Sequence, residues 1–239
     1  MTAGQAPEGL PRHLAGRLPG PPPGQLSRRV PWQDLRLAHG DVLLRPIRSS
    51  DRRDWQRVRE HNAGWLQPWE ATRPPGEAEV TPMTFRAMVR DLRRQATAGR
   101  SLPLVITVKG EFAGQVTVNN IVGGSARFAS VGYWIDRRFA GHGYMPLAVA
   151  LASDYCLFGL RLHRLEIAIR PENAASLRVV EKLGYEEYGY AVRYLHIDGD
   201  WRDHRLYAVT REEVPEGLLA RLKASGNLGD RPEPHPESQ

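Results

Sequence analysis

A change of periodicity near residue 136 constrains the fold more than any other feature of this chain. Before it, runs at 102–108, 112–118 and 129–135 are rich in β-branched and aromatic residues and separated by turn residues, which is typical of an antiparallel meander. After it, an apolar helical segment at 144–158 is followed by a buried strand at 165–169. Antiparallel strands that lead into a βαβα segment predict an α+β fold, with one mixed sheet and helices on its faces.

Turn and cap residues define the other predicted elements. Asp198 and Gly199 favour a tight hairpin turn, and Gly184 favours the end of a helix. The remaining predicted elements are a strand at 41–47, helices from 49 to about 61, at 84–98 and at 174–182, and hairpin strands at 189–197 and 201–209.

Both ends of the chain are poor in large apolar residues. Residues 1–30 contain a Pro/Gly run and several arginines, and the stretch 226–239 is rich in Pro, Gly and charge. Such segments bury too little surface to offset the entropy of ordering. The predicted organisation is a flexible basic extension at 1–30, one domain at 31–211, and the end of a C-terminal helix with a disordered tail at 212–239.

Composition excludes some classes of protein. No run approaches the roughly 20 apolar residues of a membrane span, and no secretory signal is visible, so a cytoplasmic location without membrane attachment is predicted. Cys156 is the only cysteine, which rules out an intramolecular disulfide. The net charge of +6 favours a polyanionic partner, whether nucleic acid, a ribosome surface or a phosphorylated cofactor.

The segment 131–145 joins a predicted strand to a predicted helix through a loop with two glycines. Arg138, Gly141 and Gly143 fit the spacing R-x-x-G-x-G. Glycines let phosphate oxygens approach the main chain, and the start of a helix favours anions. The pattern therefore indicates either a pyrophosphate-binding loop or an ordinary glycine-containing turn.

A second segment selects between these interpretations. In 165–185 a strand leads through Pro171 and Asn173 into a helix that ends at Gly184. Together the two segments resemble the acetyl-CoA-binding half of the GNAT acetyltransferase superfamily. The resemblance implies the acyl-CoA N-acyltransferase fold, a largely antiparallel sheet in which two central parallel strands splay apart, with flanking helices. It also implies a cofactor site for acetyl-CoA made of Tyr133, Trp134, Ile135, Arg138, Phe139, Ala140, Gly141, His142, Gly143, Tyr144, Met145 and Asn173. Asn173 is alternatively only a helix cap.

The C-terminal stretch 194–210 and the stretch 61–72 narrow the resemblance to the RimJ/RimL branch of N-terminal acetyltransferases, with RimJ the nearer. It covers about residues 42–210. This implies that the acceptor is a primary amine at a protein or peptide N-terminus, with a ribosomal protein as the example. Trp69 is then expected to bind substrate. The basic extension at 1–30 is a candidate for ribosome association.

Proton transfer does not follow the usual pattern of the family. Many relatives carry a glutamate and a tyrosine where this chain has Ala168 and Val180. A protein α-amine has a pKa near 7.7–8.0, so about a tenth to a fifth is neutral at pH 7 and no strong base is required. Glu70 is the candidate that either takes the ammonium proton or binds the ammonium ion. Ser176 is the candidate partner of the leaving sulfur, or else a solvent-facing residue at the helix entrance.

Further candidates come from the neighbouring strands. Asn119 and Asn120 are predicted either to contact the acceptor or to be turn residues. Backbone amides near Trp134 are expected to stabilise the oxyanion. The histidines are not spaced as metal ligands, and no metal is predicted. Two alternatives stay open: acetylation of a small-molecule amine, and a catalytically silent GNAT-fold protein that binds RNA or the ribosome.

Overall fold

The computed structural model describes residues 32–76 and 83–226, and in them eight strands form one sheet in the order β1-β2-β3-β4-β5-β6-β8-β7. The predicted extension at 1–30 and the tail from residue 227 onward lie outside the described residues. The strands are β1 (Leu37–His39), β2 (Val42–Pro46), β3 (Leu102–Val108), β4 (Glu111–Val122), β5 (Phe128–Ile135), β6 (Arg164–Ile169), β7 (Glu186–Ile197) and β8 (Asp200–Thr210).

Helices cover both faces of the sheet, as predicted. Val105 packs against residues of α1 and α3, whereas its neighbours Leu104 and Ile106 belong to the cluster around α4, α5 and α6. Side chains alternate between faces along a strand, so the two helix groups lie on opposite faces. The helices are α1 (Arg52–His61), α2 (Ala63–Leu66), α3 (Phe85–Thr97), α4 (Tyr144–Asp154), α5 (Ala174–Leu183) and α6 (Leu218–Ala224).

The parallel pair at the centre of the sheet separates after three residues. Phe128–Ser130 of β5 pairs with Arg164–Glu166 of β6, and all other neighbouring strands pair antiparallel. Beyond Ser130 the two strands continue without a shared ladder, so a wedge opens between them. This confirms the mixed sheet that the sequence pattern predicts and the splayed central strands that the family resemblance implies.

Behind the wedge, β4 and β5 approach each other closely at Gly114. A Cβ atom built there would lie 2.2 Å from the carbonyl oxygen of Trp134 and 2.9 Å from the Cα of Ile135. These contacts are with main-chain atoms, which cannot rotate away. Glycine is therefore required for the end of β5 to occupy this position.

The predicted hairpin turn and the predicted helix end are confirmed. Asp198 and Gly199 both have positive φ values, of 50° and 79°, as a tight hairpin turn of this type requires. Gly184 ends α5 in the left-handed conformation, with a φ of 66°. No helix in the ranges 32–76 and 83–226 is long and apolar enough to cross a membrane.

The structure corrects three predicted boundaries. A short strand, β1, precedes the first predicted strand and pairs with it. The predicted helix at 144–158 is α-helical only to Asp154 and continues as a π-helical turn over Tyr155–Gly159. The domain also extends past residue 211, because Leu218 and Leu222 of α6 are fully buried. The three leucines of this short helix agree with the helix end that the sequence predicts here, but their pattern does not indicate that the helix packs onto the domain.

Candidate active site

A cavity of about 760 Å³ occupies the wedge where β5 and β6 separate. Three groups of residues line it, and we call them the glycine wall, the α5 wall and the tryptophan wall. The glycine wall consists of Tyr133, Trp134, Ile135, Phe139, Ala140, Gly141, Gly143, Met145 and Pro146; the α5 wall of Glu172, Asn173, Ala174, Ala175, Ser176, Arg178, Val179 and Lys182; and the tryptophan wall of Arg59, Trp65, Leu66, Trp69, Glu70 and Ala71.

The glycine wall presents main chain to the cavity. Gly141 and Gly143 have φ values of 81° and 80°, in the left-handed region that glycine adopts without strain. Gly143 is the N-cap of α4, and no side chain caps that end of the helix. The first amides of α4 therefore lack a side-chain partner, and the helix dipole adds partial positive charge there. A Cβ at Gly141 would meet nothing within 4 Å. This wall has the features of an anion-binding loop.

Three predicted residues of this loop do not line the cavity. The Arg138 side chain is exposed and forms ion pairs with Asp136 at 2.9 Å and with Glu111 at 3.6 Å. His142 and Tyr144 stack on each other with 6.0 Å between ring centroids. The cations that line the cavity from α5 are Arg178 and Lys182, which sequence reasoning missed. Their spacing of four residues, which places both on one helix face, was the available signal.

A buried amide holds the glycine loop from behind. Asn62, 4% exposed, donates from Nδ2 to Asp136 Oδ1 at 3.1 Å, and its Oδ1 accepts the Arg137 amide at 2.9 Å. Burial by itself raises the pKa of Asp136, but hydrogen bonds from Arg138 and Asn62 outweigh that effect and hold it below its usual value. Asn62 therefore fixes the loop through an ionised carboxylate. A lone Asn after a helix gave no sequence signal for this contact.

On the α5 wall, Asn173 adopts the capping role that the sequence offered as an alternative. Its Oδ1 accepts the Ser176 amide at 3.1 Å, while the residue also lines the cavity. The cap uses the oxygen of the side chain and leaves its NH₂ group without a partner in the described residues. Asn173 therefore caps α5 and retains a donor for a ligand.

Tyr133 spans the cavity from β5 to α5. Its hydroxyl donates to the Ser176 carbonyl oxygen, with 3.4 Å between the oxygens. Burial raises the pKa of Tyr133 well above its usual value, so the phenol stays protonated at neutral pH. Ser176 lines the cavity beside it. Of the two positions that depart from the family pattern, Val180 is buried in the core and Ala168 is exposed on β6.

The tryptophan wall is organised around Arg59. Its guanidinium carbon lies 5.3 Å from the ring centroid of Trp55 and 5.4 Å from that of Trp134, which places it between two indole rings. Both indole N–H groups donate to Gln115 Oε1, at 2.7 Å and 3.2 Å. The free side of Arg59 forms an ion pair with Glu70. Cation–π contacts and an ion pair thus hold the predicted carboxylate at the cavity.

Contacts from distant strands fix the segment that carries Glu70. Arg170, at the end of β6, donates to the Pro68 carbonyl at 2.7 Å and lies 5.3 Å from the Trp69 ring centroid. On the other side, the Thr72 amide donates to the His196 carbonyl at 2.9 Å. The Glu70 carbonyl accepts the Asp198 amide at 3.0 Å. The segment is therefore held between β6 and the tip of the β7–β8 hairpin.

Asn119 and Asn120 lie away from the cavity. Both are within β4, where Asn119 pairs with Ser130 and Asn120 donates from Nδ2 to Ser130 Oγ at 3.2 Å. Ser130 comes three positions before Tyr133, the first residue of β5 that lines the cavity, which is about 10 Å along an extended strand. The sequence offered a turn at these two residues, but β4 continues past both. The chain forms a bulge there, and Asn120 has a φ of 52°.

Potential metal ligands do not cluster in this structure. Within residues 32–76 and 83–226, no group of three or more His, Cys, Asp or Glu side chains is arranged to hold a metal ion. His204, which is 3% exposed, bonds through Nδ1 to the Arg202 carbonyl instead.

A family profile matches this arrangement. The profile of the acetyltransferase (GNAT) domain covers residues 41–186, which include the wedge, the glycine loop and α5. The chain belongs to the GNAT acetyltransferase family. A curated relative, the [ribosomal protein uS5]-alanine N-acetyltransferase of Escherichia coli K12, is 30% identical over 186 residues, 77% of this chain and 94% of the relative.

Solved structures of GNAT proteins have the same fold. Mycobacterium smegmatis RimJ in complex with CoA-disulfide is 38% identical, with a TM-score of 0.73 over 78% of this chain and 90% of that one. The ribosomal-protein-S5-alanine acetyltransferase of Vibrio fischeri is 28% identical, with a TM-score of 0.67 over 75% of this chain and 98% of that one. Together with the E. coli relative, these place the protein in the RimJ/RimL branch of the family.

Proposed function

We propose that this protein transfers the acetyl group of acetyl-CoA to the N-terminal α-amine of a protein, with a ribosomal protein as the acceptor. One observation carries the proposal: a single cavity joins an uncapped glycine loop at a helix N-terminus to a carboxylate fixed among tryptophans. The first feature suits a phosphorylated donor and the second suits a cationic acceptor.

The residues present fit a coenzyme A donor. Left-handed glycines and the free amides of α4 supply hydrogen-bond donors for a pyrophosphate, and Arg178 and Lys182 add positive charge on the facing wall. The main chain of Tyr133–Ile135 and the NH₂ group of Asn173 are available to the amide-rich arm. The donor supplies an activated thioester, and the protein supplies position and hydrogen-bond donors.

Glu70 is placed to orient the incoming ammonium group. The Glu70 carboxylate also forms an ion pair with Arg59, and this pair neutralises part of the Glu70 charge. This arrangement supports binding and orientation of the ammonium ion over a role as strong base, since a fraction of the α-amine is neutral at pH 7 without help. Main-chain amides near Trp134 are the proposed donors to the developing oxyanion, and Tyr133 or Ser176 the proposed donors to the departing sulfur.

The acceptor class is inferred from the relatives together with the tryptophan wall. The E. coli relative acts on an alanine of ribosomal protein uS5, as its name states. In this protein Trp65, Trp69 and Trp134 narrow the acceptor side of the cavity. A chain terminus with a small first side chain fits such a space better than a bulky aminoglycoside does.

A panel of peptides tests the proposal. The full chain is incubated with acetyl-CoA and peptides that begin with Ala, Ser, Gly or Leu but are otherwise identical, and products are identified by mass spectrometry with fragmentation. A peptide with a blocked N-terminus and one lysine, spermidine and an aminoglycoside serve as controls. We expect one acetyl group on the α-amine of Ala or Ser peptides and none on the controls.

Other products would overturn specific parts of the proposal. Acetylation of spermidine or the aminoglycoside in preference to every peptide would replace the protein acceptor with a small amine. Binding of acetyl-CoA by calorimetry with no product from any acceptor would favour a silent binding protein. No binding of acetyl-CoA would contradict the donor site itself.

A further inference from the structure

The exposed face of α3 carries a line of arginines that the cavity does not use. Arg86, Arg90 and Arg93 follow one another at spacings of four and three residues and are all exposed. At 100° per residue these positions fall on one side of the helix. In the described part of the chain none of the three forms an ion pair, whereas the nearby Arg94 is paired with Asp91. We call Arg86, Arg90 and Arg93 the arginine row.

The opposite side of α3 is fully used by the core. Phe85 and Val89 are buried beside Val58 and Phe112, and Met88 and Leu92 pack against the same cluster. An amphipathic helix that binds a lipid surface inserts its apolar side, and here that side is already occupied. The row therefore presents positive charge, but α3 has no free apolar side to insert into a membrane.

The composition of the row favours a phosphate-bearing partner. Arginine carries a planar guanidinium with five donors that matches phosphate oxygens, and it is not deprotonated in proteins. From Arg86 to Arg93 the helix rises about 10 Å, so the three guanidinium groups can contact more than one phosphate of a nucleic-acid backbone. A nucleic-acid backbone matches both the charge and the length of the row.

The helix that carries the row begins near Arg59 of the tryptophan wall. Phe85, on the buried side of α3, contacts Trp55 with 5.4 Å between ring centroids, and Trp55 is one of the two indoles that flank Arg59. A polyanion bound along the exposed side of α3 would thus lie on the same face of the sheet as Arg59. Arg52 and Arg53, exposed at the start of α1, extend the positive charge on this face of the sheet.

The geometry points to the arginine row as a docking site for the RNA backbone. RNA rather than DNA follows from the proposed function, on which this step rests, because an acceptor on a ribosomal subunit is surrounded by RNA. Docking there raises the local concentration of the acceptor N-terminus near Glu70 and leaves the chemistry at the cavity unchanged. It also assigns RNA contact to the folded domain, whereas the sequence suggested ribosome association through the extension at 1–30, which lies outside the described residues.

Binding of a labelled RNA tests the inference. The full chain is titrated against a fluorescein-labelled 20-nucleotide RNA hairpin, and anisotropy is recorded at several salt concentrations. The test variant replaces Arg86, Arg90 and Arg93 with Gln. The control variant replaces Arg161, Arg193 and Arg211, which lie outside α1 and α3, with Gln and removes the same charge. Thermal unfolding verifies that both variants fold.

We expect the row variant to bind the hairpin at least about tenfold more weakly and to reduce the slope of log K against log salt by about 2 to 3. The control variant should lose less than about threefold. Both variants should acetylate a free peptide like the wild type, because neither change touches the cavity.

Three results would overturn the docking site. The first is an equal loss of RNA affinity in both variants. The second is no binding of the hairpin by the wild type at 0.15 M salt. The third is row-dependent binding to vesicles of phosphatidylglycerol, or to polyglutamate, that is as tight as binding to RNA. The peptide assay separates this inference from the proposed function. Row-dependent RNA binding without peptide acetylation would contradict the function alone.

Discussion

The glycine wall and the tryptophan wall face the same cavity but are built by opposite means. The glycine wall depends on main-chain conformation within one continuous segment, from Tyr133 to Pro146. The tryptophan wall depends on side chains of α1 and of the segment after it, which Gln115 of β4 and Trp134 of β5 hold in place only in the folded sheet. One wall is a local motif and the other is a product of tertiary packing.

This difference predicts how each wall responds to change. The glycine loop should fail when its own backbone geometry is altered, and among distant residues it should respond to Asn62, which holds it from behind. A packed cluster fails when any one of its members is lost, because each holds the next. Experiments should therefore separate the two walls. Changes in the glycine wall should alter the affinity for the donor, and changes in the tryptophan wall should alter the kinetics with the acceptor.

Replacement of Glu70 with Gln should give the largest effect. It removes the charge that faces the ammonium group and leaves Arg59 unpaired at the cavity. Losing one partner of such a pair costs about 2–5 kcal/mol, and because Glu70 is 37% exposed we expect the lower end, on the order of 10²-fold in kcat/KM for a peptide acceptor. Affinity for acetyl-CoA should not change.

The pH profile of the Glu70→Gln variant distinguishes its two possible roles. A constant loss from pH 6 to 9 indicates orientation, whereas a loss that shrinks as pH rises toward the α-amine pKa indicates a base. Ser176→Ala, on the α5 wall, is the control and should cost only about threefold, since a thiolate with a pKa near 8.5 needs little help to leave. Near wild-type activity of Glu70→Gln throughout would remove Glu70 from the acceptor site.

Replacement of Gly143 with Val tests the other wall. A β-branched residue at a φ of 80° is strained by roughly 1–3 kcal/mol, so we expect acetyl-CoA to bind about 5- to 150-fold more weakly. Isothermal titration measures this directly. Peptide KM at saturating donor should stay within about twofold of the wild type, and undiminished donor affinity would show that the loop is not the phosphate site.

Replacement of Gln115 with Leu should lower activity by a smaller factor and test the tryptophan wall from behind. It leaves two indole N–H groups without their acceptor, at a cost of about 1–3 kcal/mol for each one that stays buried. We expect roughly tenfold lower kcat/KM for the peptide with unchanged acetyl-CoA affinity, because Arg59 loses its fixed rings. Asn119→Leu, on the same strand but away from the cavity, is the control. Equal effects of the two changes would refute the link between Gln115 and the acceptor.

Acid should weaken the packing around His204 of β8, with the smallest effect of the series. Burial and the nearby Arg170 lower the pKa of His204, so the folded state binds the proton less well than the unfolded chain. Its contribution to stability is complete above the ordinary histidine pKa near 6.5 and is lost as pH falls below it. The melting temperature of His204→Gln should fall less between pH 7 and 5 than that of the wild type. A parallel fall in the two proteins would exclude His204 as the source.

Sequence reasoning succeeded where structure is local. The glycine loop, the strands at 165–169 and 102–108 and the turn at Asp198 depend on φ angles and periodicity, which short segments encode. The resemblance to GNAT enzymes supplied the splayed strands, which the pattern alone predicts only as a mixed sheet. Even so, Arg138 fits the motif by spacing but pairs with acids, since spacing does not reveal what lies across the loop.

The other wall was not predictable in the same way. Glu70 was a candidate from the sequence, but the residues around it in the sequence do not indicate that it pairs with Arg59. Trp55 and Gln115, which also contact each other, are 60 positions apart. Arg170 and Pro68 are 102 positions apart. Such contacts depend on strand register and on which face of the sheet each side chain occupies, and a single sequence does not state either.

The position of α6 bears on the order in which the protein matures. Val214, Leu218 and Leu222 are buried, and Asp154 at the end of α4 accepts the Leu218 and Leu219 amides at 2.6 Å and 3.0 Å. These residues leave the ribosome after every strand of the sheet has been made. Until then the side of α4 that they cover is open to water or to chaperones. A protein proposed to modify new ribosomal proteins would thus bury this side of α4 only after its whole sheet has been made, when α6 closes over the helix that follows the glycine loop.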